Sequence, residues 1–388
     1  MVSFDNTEVA FSGKSDKDLK RSYWLFRLIG NPMLVNVGSG MTKFALAIHF
    51  PIKGMIKATI FKQFVGGETI EECGKTVEAL GKFGIGTILD YSVEGKESEN
   101  DFEHCKAETI ATINRAANDV HIPFCVFKVT GLARFALLEK LSAGAALTAE
   151  EQQEWQRVEN RVDEISKTAH DRNKPLFIDA EESWIQQAID NLADAMMAKY
   201  NAPRAIVYNT FQLYRKDRLD FLEKSFEKAQ QGNYHLGAKL VRGAYMEKER
   251  KRAADMNYPS PIQDTKADTD RDYDLAIRFC VGHNDRIALC AGTHNEASSR
   301  LLVQLMQEKN VSAGNPYIYF SQLLGMSDHI SFNLSNAGYN VAKYVPYGPV
   351  KEVLPYLIRR AQENTSVKGQ TGRELSLIIK EKERRRKK

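Results

Sequence analysis

Short apolar segments alternate with longer amphipathic segments along most of the chain. The short segments have the length of buried β-strands, and the longer ones repeat apolar residues at the spacing of an α-helix. Eight such pairs occupy residues 84–366, which matches the number of repeats in a (β/α)8 barrel. We therefore predict an α/β fold, a TIM-like (β/α)8 barrel. The predicted strands lie within residues 84–95, 122–132, 175–181, 205–214, 237–245, 286–295, 317–325 and 339–348.

An open, doubly wound sheet is the alternative fold for alternating strands and helices. Sheets of that kind that bind dinucleotides usually carry a GxGxxG sequence directly after the first strand. No such sequence follows the first predicted strand of this chain. This weakens the doubly wound alternative and favours the barrel.

Three segments differ from the strand and helix repeats. Residues 1–83 predict an N-terminal helical arm, and residues 133–174 predict a helical insertion in which Thr148 and Glu151 have the spacing of a capping box. Residues 367–388 form a basic C-terminal tail, which we expect to be frayed and solvated. The barrel itself is then predicted to be a catalytic domain over residues 84–366.

Residues 20–66 of the arm are rich in aromatic and aliphatic residues, with Lys and Arg between them. Glycines and prolines interrupt each apolar run well before the roughly 20 residues that a membrane-spanning helix needs. Two interpretations stay open, namely an arm that covers the barrel and an arm that touches a membrane surface. Contact with an anionic membrane surface is the corresponding alternative for the basic tail.

Composition narrows the class of protein. The chain has 388 residues, of which 43% are apolar and 27% are charged, and this composition is typical of a globular protein. Its net charge of +4 does not indicate binding to nucleic acid. Its five cysteines are scattered without CxxC or Cys/His spacing, which argues against a disulfide framework and a zinc site. The amino terminus lacks the apolar run of a signal peptide. We predict a bacterial cytoplasmic protein.

Polar side chains recur where the predicted strands end, which is where (β/α)8 barrels carry their active sites. Each has an ordinary structural explanation, such as helix capping for Asp179 or a satisfied core position for His294. Eight such coincidences at one end of a barrel are less expected than one active site. The residues at these ends are Asp90, Glu94, Lys128, Asp179, Glu181, Gln212, Arg242, Tyr245, Thr293, His294, Asn295, Gln322 and Tyr344.

The last predicted helix of the barrel carries a second polar group. Its apolar residues recur at helical spacing and predict a face directed to the core. Tyr356, Arg359, Arg360 and Glu363 recur at spacings of three, four and seven on a neighbouring face. A solvated face with an Arg–Glu pair is the ordinary interpretation of such a group. The preceding strand, which ends in two tyrosines, favours a functional one.

The available side chains limit the chemistry. The sequence has no pair of histidines with a carboxylate at metal-ligand spacing and no GxSxG motif. Adjacent arginines with a lysine suit a planar carboxylate, and Arg242 with His294 suits the diphosphate of a large cofactor. The tyrosines Tyr245, Tyr344 and Tyr356 could enclose a small apolar ring. This combination indicates redox chemistry that depends on a bound cofactor rather than on a metal.

Several motifs of the chain resemble the signatures of the proline dehydrogenase family in its single-function form. They are KLVRGAY, IDAE, THN, FSQLLGMSD and YVPYGPVKEVLPYLIRRAQENTS, and the likeness extends over residues 84–366. The resemblance implies FAD-dependent oxidation of L-proline to 1-pyrroline-5-carboxylate, the first step of proline catabolism to glutamate. It also implies a membrane quinone as electron acceptor and peripheral contact with the inner membrane.

The resemblance also implies roles for individual residues. Arg359 and Arg360 bind the substrate carboxylate, assisted by Lys128, which pairs with Glu94. Asp179, Tyr344 and Tyr356 orient the arginines and close over the substrate ring. Leu240 and Tyr245 pack against that ring. The implied flavin contacts are Gln212, Lys239, Arg242, Gly243, Ala244, Thr293, His294, Asn295 and Glu363.

Two of these positions bear on how the chain differs from some relatives. Lys239 stands where some relatives have an arginine near the reactive flavin nitrogen, which keeps the charge but not the forked geometry. Tyr344 occupies a position that is smaller in hydroxyproline-preferring relatives, so it favours proline. The alternatives are a hydroxyproline-preferring dehydrogenase, a flavin-free lyase with Lys128 or Lys239 as Schiff-base lysine, and an inactive barrel that only binds a partner.

Overall fold

Eight parallel strands form a closed barrel in chain order. The computed structural model describes residues 2–30, 53–92, 97–366 and 370–387. The predicted (β/α)8 barrel is confirmed, and each predicted strand segment contains one observed strand, except that β5 begins one residue before its segment, at Leu236. The strands are β1 (Ile85–Tyr91), β2 (Phe124–Lys128), β3 (Leu176–Asp179), β4 (Val207–Gln212), β5 (Leu236–Val241), β6 (Ile287–Gly292), β7 (Ile318–Leu323) and β8 (Val341–Tyr347).

Helices follow the strands as the repeat pattern predicts. A 3-10 turn, Val129–Gly131, follows β2, and a π-helical turn, Lys57–Phe61, lies in the arm. The α-helices of the described residues are α1 (Thr7–Ala10), α2 (Asp16–Ile29), α3 (Lys53–Ile56), α4 (Lys62–Phe64), α5 (Ile70–Gly81), α6 (Glu99–Ala117), α7 (Phe135–Ser142), α8 (Ala149–Asp171), α9 (Ser183–Tyr200), α10 (Arg218–Gln231), α11 (Met246–Asp255), α12 (Lys266–Gly282), α13 (Glu296–Glu308), α14 (Asp328–Asn336), α15 (Val350–Ser366) and α16 (Gln370–Arg386).

The chain divides into two compact units. The first unit comprises Glu94–Ser321, and the second comprises Val2–Val93 together with Gln322–Lys388. The first unit contains β2 to β6 and most of β7, whereas the second contains β1, the end of β7 and β8. The predicted domain boundaries at residues 83 and 366 stay predictions.

Aromatic rings fill the barrel interior near the start of its strands in the first unit. Phe124, the first residue of β2, stacks on Phe177 with ring centroids 4.5 Å apart. The edges of Tyr319 and Tyr208 complete the layer at 4.7 and 5.7 Å from Phe124. The last residue of β2, Lys128, lies four residues further along the strand, about 13 Å away. The aromatic layer therefore occupies one end of these strands, and polar side chains occupy the other.

The helical insertion contains α7 and α8. Thr148 and Glu151 form the capping box that their spacing predicts, with the Thr148 hydroxyl accepting from the Glu151 N–H and the Glu151 carboxylate accepting from the Thr148 N–H. Arg161 of α8 is buried and pairs with Glu99 and Glu103 of α6. The insertion is therefore fixed to the barrel helix that precedes β2.

The C-terminal segment is a packed helix of the second unit. Leu377 and Ile378 of α16 are buried in one apolar cluster with Leu19 and Phe26 of α2. Arg385 pairs with Asp16 at 2.8 Å and with the fully buried Glu381. The prediction of a frayed, solvated tail is therefore wrong for Gln370–Arg386, because an apolar pair within the basic sequence gives it a core contact.

The arm contains α1 to α5. Residues 31–52 belong to the stretch 20–66, for which a membrane-touching arm is one interpretation, and they lie outside the described residues. Within the described residues, no helix combines the length and the apolar character that crossing a membrane requires.

Candidate active site

Two lysines share one buried carboxylate in the first unit. Lys128 lies opposite Asp179 in the register of β2 with β3, and its Nζ is 2.7 Å from Asp179 Oδ2. Lys239 extends from β5 and donates to Asp179 Oδ1. Lys239 and Asp179 are only 4% and 7% exposed. We call these three residues the lysine–aspartate cluster.

The lysine–aspartate cluster holds two ammonium groups around one carboxylate. Burial disfavours the ionised form of Asp179, but Lys128 and Lys239 outweigh burial and hold the pKa of this carboxyl below its usual range. Asp179 is therefore ionised at neutral pH. Because one carboxylate faces two ammonium groups in a shielded site, the cluster suits an anionic ligand group.

Glu181 connects the ends of three neighbouring strands. Its carboxylate accepts hydrogen bonds from the backbone N–H of Thr130, at 3.0 Å, and from the Thr130 hydroxyl. Its backbone carbonyl accepts from Gln212 Nε2 at 2.7 Å, and its N–H donates to Gln186 Oε1 at 2.8 Å. Glu181 therefore fixes the orientation of Gln212. Burial raises the pKa of Glu181 to about 7, although the Lys128 charge opposes the shift.

Arg242 follows β5 and is held by residues from two helices and a strand end. Its Nε donates to Asp270 at 2.7 Å, one terminal nitrogen donates to the Thr293 hydroxyl at 2.7 Å, and the other donates to the Ser298 hydroxyl at 2.9 Å. Its guanidinium carbon lies 4.3 Å from the ring centroid of Tyr273. Three of the five N–H groups of Arg242 are thereby used, and the guanidinium plane is fixed.

The segment after Arg242 needs a glycine. Gly243 has a φ of +133°, which L side chains rarely adopt. A Cβ at Gly243 would also lie 2.4 Å from the ring of Tyr214. The next residues, Ala244 and Tyr245, are exposed and half-buried, whereas Leu240 is fully buried in β5. The backbone at Gly243 is therefore accessible and has no side chain of its own.

The THN motif begins α13. Asn295 is its N-cap, and its Oδ1 accepts from the N–H groups of Ala297 and Ser298 at 2.8 and 3.2 Å. The Asn295 N–H donates to the Thr293 hydroxyl at 3.0 Å, and His294 between them is half-buried. The Asn295 side chain thus caps the N-terminus of α13. Its contact with a cofactor stays a prediction.

The polar face of α15 lies in the second unit. The Arg360 guanidinium is 5.3 Å from the ring centroid of Tyr356, one helical turn before it. Arg360 is 9% exposed, Tyr356 and Tyr344 are each 7% exposed, and Arg359 is half-buried. The ordinary interpretation of this face as solvated therefore does not hold for Tyr356 and Arg360. Buried guanidinium and phenol groups at these positions suit recognition of an anion beside an apolar ring.

A second shared carboxylate supports β8 in the second unit. The fully buried Lys343 pairs with Asp328 at 2.9 Å, and Lys14 of the arm pairs with the same carboxylate at 2.8 Å. Lys343 also donates to the backbone carbonyl of Met326 at 2.7 Å. These contacts fix Met326 and Asp328, at the end of the FSQLLGMSD motif, against the strand that carries Tyr344.

Comparison with known proteins identifies the family of this chain. The family model described as proline dehydrogenase matches residues 73–373. "Proline dehydrogenase 1, mitochondrial" of Dictyostelium discoideum is 36% identical to this chain, and the alignment covers 88% of this chain and 67% of that protein. The chain belongs to the proline dehydrogenase family. "Carbapenem antibiotics biosynthesis protein CarD" of Pectobacterium carotovorum subsp. carotovorum is 35% identical, with 86% of both chains covered.

Solved structures share the fold of this family member. Proline utilization A (PutA) from Bdellovibrio bacteriovorus, inactivated by N-propargylglycine, aligns with a TM-score of 0.73 at 18% identity. The alignment covers 93% of this chain and 38% of the PutA chain. This chain therefore spans well under half the length of that protein, and the likeness concerns the barrel fold.

The structure brings several predicted site residues together within each unit. Lys128, Asp179 and Lys239 form one cluster, Arg242 contacts Thr293, and Tyr356 contacts Arg360. Glu94, the predicted partner of Lys128, and the side chain of Glu363 lie outside the described residues. The roles of all the predicted site residues in binding substrate and flavin stay predictions.

Sequence reasoning missed the partners that hold Arg242. Asp270 and Tyr273 both contact this guanidinium, and Ser298 Oγ, which accepts from it, donates in turn to Asp274 at 2.6 Å. Asp270, Tyr273 and Asp274 recur at spacings of three and four in α12, so they share one helical face. From the sequence alone, this spacing could have identified a polar helix face that packs against a strand end.

Glu181 gives a testable pH dependence. Its pKa in the folded protein, about 7, lies above the ordinary value of 4.5, so the folded state binds more protons than the unfolded state between these values. The contribution of Glu181 to the free energy of unfolding is therefore complete below pH 4.5, and it is lost as pH rises through 7. Glu181→Gln should remove this loss. Between pH 5 and 8, the free energy of unfolding of the unmodified protein should therefore fall by up to about 3 kcal/mol more than that of the variant.

Urea unfolding at a series of pH values measures this difference. Glu164→Gln, at a carboxylate with a 53% exposed side chain paired with Lys106, controls for the substitution itself. Parallel pH profiles for the unmodified protein and Glu181→Gln would show that Glu181 is ionised throughout and that burial does not govern it.

Proposed function

We propose that the chain catalyses FAD-dependent oxidation of L-proline to 1-pyrroline-5-carboxylate, the first step of proline catabolism to glutamate, and passes the electrons to a membrane quinone. The observation that carries the proposal is the family match over residues 73–373. That range includes the strand ends of the first unit and the buried Tyr356–Arg360 pair of the second.

Arg359 and Arg360 are proposed to bind the substrate carboxylate, and Lys128 is proposed to assist them. An arginine can engage a carboxylate through two parallel hydrogen bonds. The burial of Arg360 supports this role, since a shielded charge interacts more strongly than one in water. The position of Lys128 beside a second ammonium group, that of Lys239, supports its role.

Four apolar or aromatic side chains are proposed to enclose the substrate ring. Tyr344 and Tyr356 would close over it, and Leu240 and Tyr245 would pack against it. The burial of Tyr344 and Tyr356 supports a site that excludes water. The bulk of Tyr344 supports a preference for proline over hydroxyproline.

The donors of the first unit fit a flavin dinucleotide. Arg242 has two N–H groups that none of the described residues uses, and Gly243 leaves the adjacent backbone accessible. Gln212 is buried and held by Glu181, so its amide has a fixed orientation. Arg242 and His294 would hold the diphosphate, and Gln212 and Lys239 the ring system. Bound FAD supplies a two-electron acceptor for hydride.

The cations of the site would also control the substrate amine. Oxidation at the carbon beside nitrogen needs a neutral amine with a free lone pair. Cations near a protonated amine disfavour its charged form and lower its pKa. Lys128 and the arginines are therefore proposed to orient the substrate and to favour its reactive protonation state.

A flavin-free lyase is the rival for a barrel with two buried lysines. A Schiff-base lysine must lose its proton before it attacks a carbonyl. Lys128 and Lys239 both donate to the ionised Asp179, so either lysine would have to leave this ion pair before it attacked. The contacts of the cluster therefore support the dehydrogenase over the lyase.

Analysis of the purified protein tests the proposal. We expect FAD to be released on denaturation, and incubation with L-proline and a soluble quinone should give a cyclic imine two mass units lighter than proline. Borohydride with a keto acid should leave the chain mass unchanged. A flavin-free protein whose mass increases in the borohydride reaction would favour the lyase instead.

A further inference from the structure

A buried network of polar side chains is connected to Gln212, the residue that is proposed to hold the flavin ring. Its members are Gln186 and Asp190 of α9, Asn209 of β4 and Arg218 of α10, and each is at most 5% exposed. We call these four residues the Asp190 network. Polar groups at such depth are costly unless each finds a hydrogen-bond partner, so the contacts among them define the geometry of the network.

The Asp190 carboxylate is the centre of this network. Its Oδ1 accepts hydrogen bonds from Gln186 Nε2 and Asn209 Nδ2, both at 2.9 Å. Its Oδ2 accepts from the Arg218 guanidinium at 2.6 Å. Donors from α9, β4 and α10 therefore hold one carboxylate. A carboxylate that pairs with arginine accepts hydrogen bonds and does not donate them, so it requires the NH2 end of the Gln186 amide to face it.

The orientation of Gln186 is passed on to Glu181. With its nitrogen directed to Asp190, Gln186 presents Oε1 to the Glu181 N–H, which donates to it at 2.8 Å. The Glu181 carbonyl accepts from Gln212 Nε2 at 2.7 Å. Both main-chain groups of Glu181 are thus held, one by each glutamine. A continuous chain of hydrogen bonds therefore runs from Arg218 to Gln212.

Asn209 fixes the strand that carries Gln212. It lies three residues before Gln212 in β4, and its bond to Asp190 holds this strand against α9. Asn209 Oδ1 accepts from the N–H of the next residue, Thr210, at 2.8 Å, so both ends of the amide are used. The backbone and the side chain of Gln212 are therefore tied to the same carboxylate by separate routes.

A gain in stability is a weak explanation for this arrangement, since a buried arginine–carboxylate pair can often be replaced by apolar side chains without loss of stability. Apolar side chains would not fix the direction of donors and acceptors. We propose that Gln186 is a positioning residue for Gln212 and, through Gln212, for the flavin ring. Asp190 sets the orientation of the Gln186 amide, so that the Gln212 amide meets the ring in one orientation. This role rests on the proposed function, because Gln212 is a proposed flavin contact.

Titration of the flavin-depleted full chain with FAD tests this role. Gln186→Met keeps the length of the side chain but removes its hydrogen bonds, and the Kd for FAD should rise by about 10-fold, the size of one lost hydrogen bond. The visible absorption bands of the bound flavin should shift, because the ring loses a fixed polar contact. KM for L-proline at saturating FAD should not change, since the proposed carboxylate ligands are untouched.

Two further variants of α9 separate positioning from stability. Gln187→Met makes the same change one residue later, where the side chain is exposed and bonds to Asn191 at 2.9 Å, and it should bind FAD like the unmodified chain. Ile189→Val shortens a fully buried side chain and lowers stability. It should leave the FAD affinity and the flavin spectrum unchanged.

An exchange of carboxylate and amide tests the direction of the hydrogen bonds. Gln186→Glu alone places two carboxylates side by side and should weaken FAD binding. In Gln186→Glu/Asp190→Asn, the group at position 186 still accepts from the Glu181 N–H and receives a hydrogen bond from position 190. This double variant should recover most of the FAD affinity that Gln186→Met loses.

The side-chain amide of Gln212 gives a readout that needs no flavin. Its NMR signals, identified by their absence from Gln212→Met, should move in Gln186→Met and stay in place in Gln187→Met. Unmoved Gln212 signals, an unchanged FAD affinity in Gln186→Met, or an equal loss of affinity in Ile189→Val would overturn the positioning role. An unmodified chain that binds no FAD would refute the proposed function, and the amide signals would still show whether Gln186 positions Gln212.

Discussion

Asp179→Asn is expected to lower the free energy of unfolding by about 3 kcal/mol or more and to remove most of the activity. The substitution keeps the size of the side chain but leaves the ammonium groups of Lys128 and Lys239 without their shared carboxylate. Removal of one partner from a buried ion pair is costly because the remaining charge stays shielded from water. Two ammonium groups that repel each other should also displace Lys128 from its position at the end of β2.

Chemical unfolding of matched variants measures this effect. Asp220→Asn makes the same change at a carboxylate with a 67% exposed side chain that pairs with Lys224, and it should cost less than about 1 kcal/mol. Asp179→Asn/Lys239→Met should recover part of the lost stability, because only one ammonium group has then lost its carboxylate at position 179. If Asp179→Asn unfolds at the same urea concentration as the unmodified chain, the lysine–aspartate cluster does not contribute as argued.

The same variant has a defined pH dependence. The pKa of Asp179 in the folded protein is lowered below its usual value of 3.8, so its contribution to stability is present above that value. It is lost as pH falls through the lowered pKa. The stability difference between the unmodified chain and Asp179→Asn should therefore be constant near neutral pH and should shrink in acid.

Arg360→Ala is expected to raise the KM for L-proline by about 100-fold, because the carboxylate loses a charged, forked hydrogen-bond partner. Arg359→Ala should act in the same direction. Arg360→Lys should restore only part of the affinity, since lysine keeps the charge but not the fork. Bound FAD should remain at one per chain in all three variants.

Steady-state kinetics with flavin quantification checks this prediction. Lys351→Ala removes an exposed cation from the same helix and should leave KM unchanged. An unchanged KM in Arg360→Ala would exclude the carboxylate role. Loss of FAD from that variant would place Arg360 with the cofactor instead of the substrate.

The barrel could be predicted because each of its strands can be recognised from a short stretch of neighbouring residues. Each strand of the pattern is a short apolar run whose length and flanking residues identify it, as in β4, where all six residues are buried. The strand ends then follow from the strands, which is why Lys128, Asp179 and Arg242 could be chosen. The helical spacing of Tyr356 and Arg360 likewise predicted their contact.

Partners that are distant in sequence could not be predicted in the same way. Lys239 lies within the apolar run of β5, and its contact with Asp179 spans 60 positions. Lys343 lies within β8, and its pair with Asp328 is shared with Lys14. Such contacts depend on which strands face each other inside the barrel, which no local pattern states.

The basic C-terminal segment shows how composition can mislead. Its many Lys and Arg residues predicted a solvated tail, whereas Leu377 and Ile378 place it in the core of the second unit. The apolar residues Leu375, Leu377, Ile378 and Ile379 are too short a run to identify a packed helix from sequence alone. The apolar cluster shared with α2 makes Leu377 and Ile378 core residues.

Anaerobic addition of L-proline to the purified protein is the most direct test of proline oxidation on a bound flavin. We predict that L-proline, in an amount equal to the bound FAD, bleaches the visible absorption of the flavin and that a quinone restores it. Flavin that stays oxidised in the presence of L-proline, or a protein with no flavin to bleach, would contradict it.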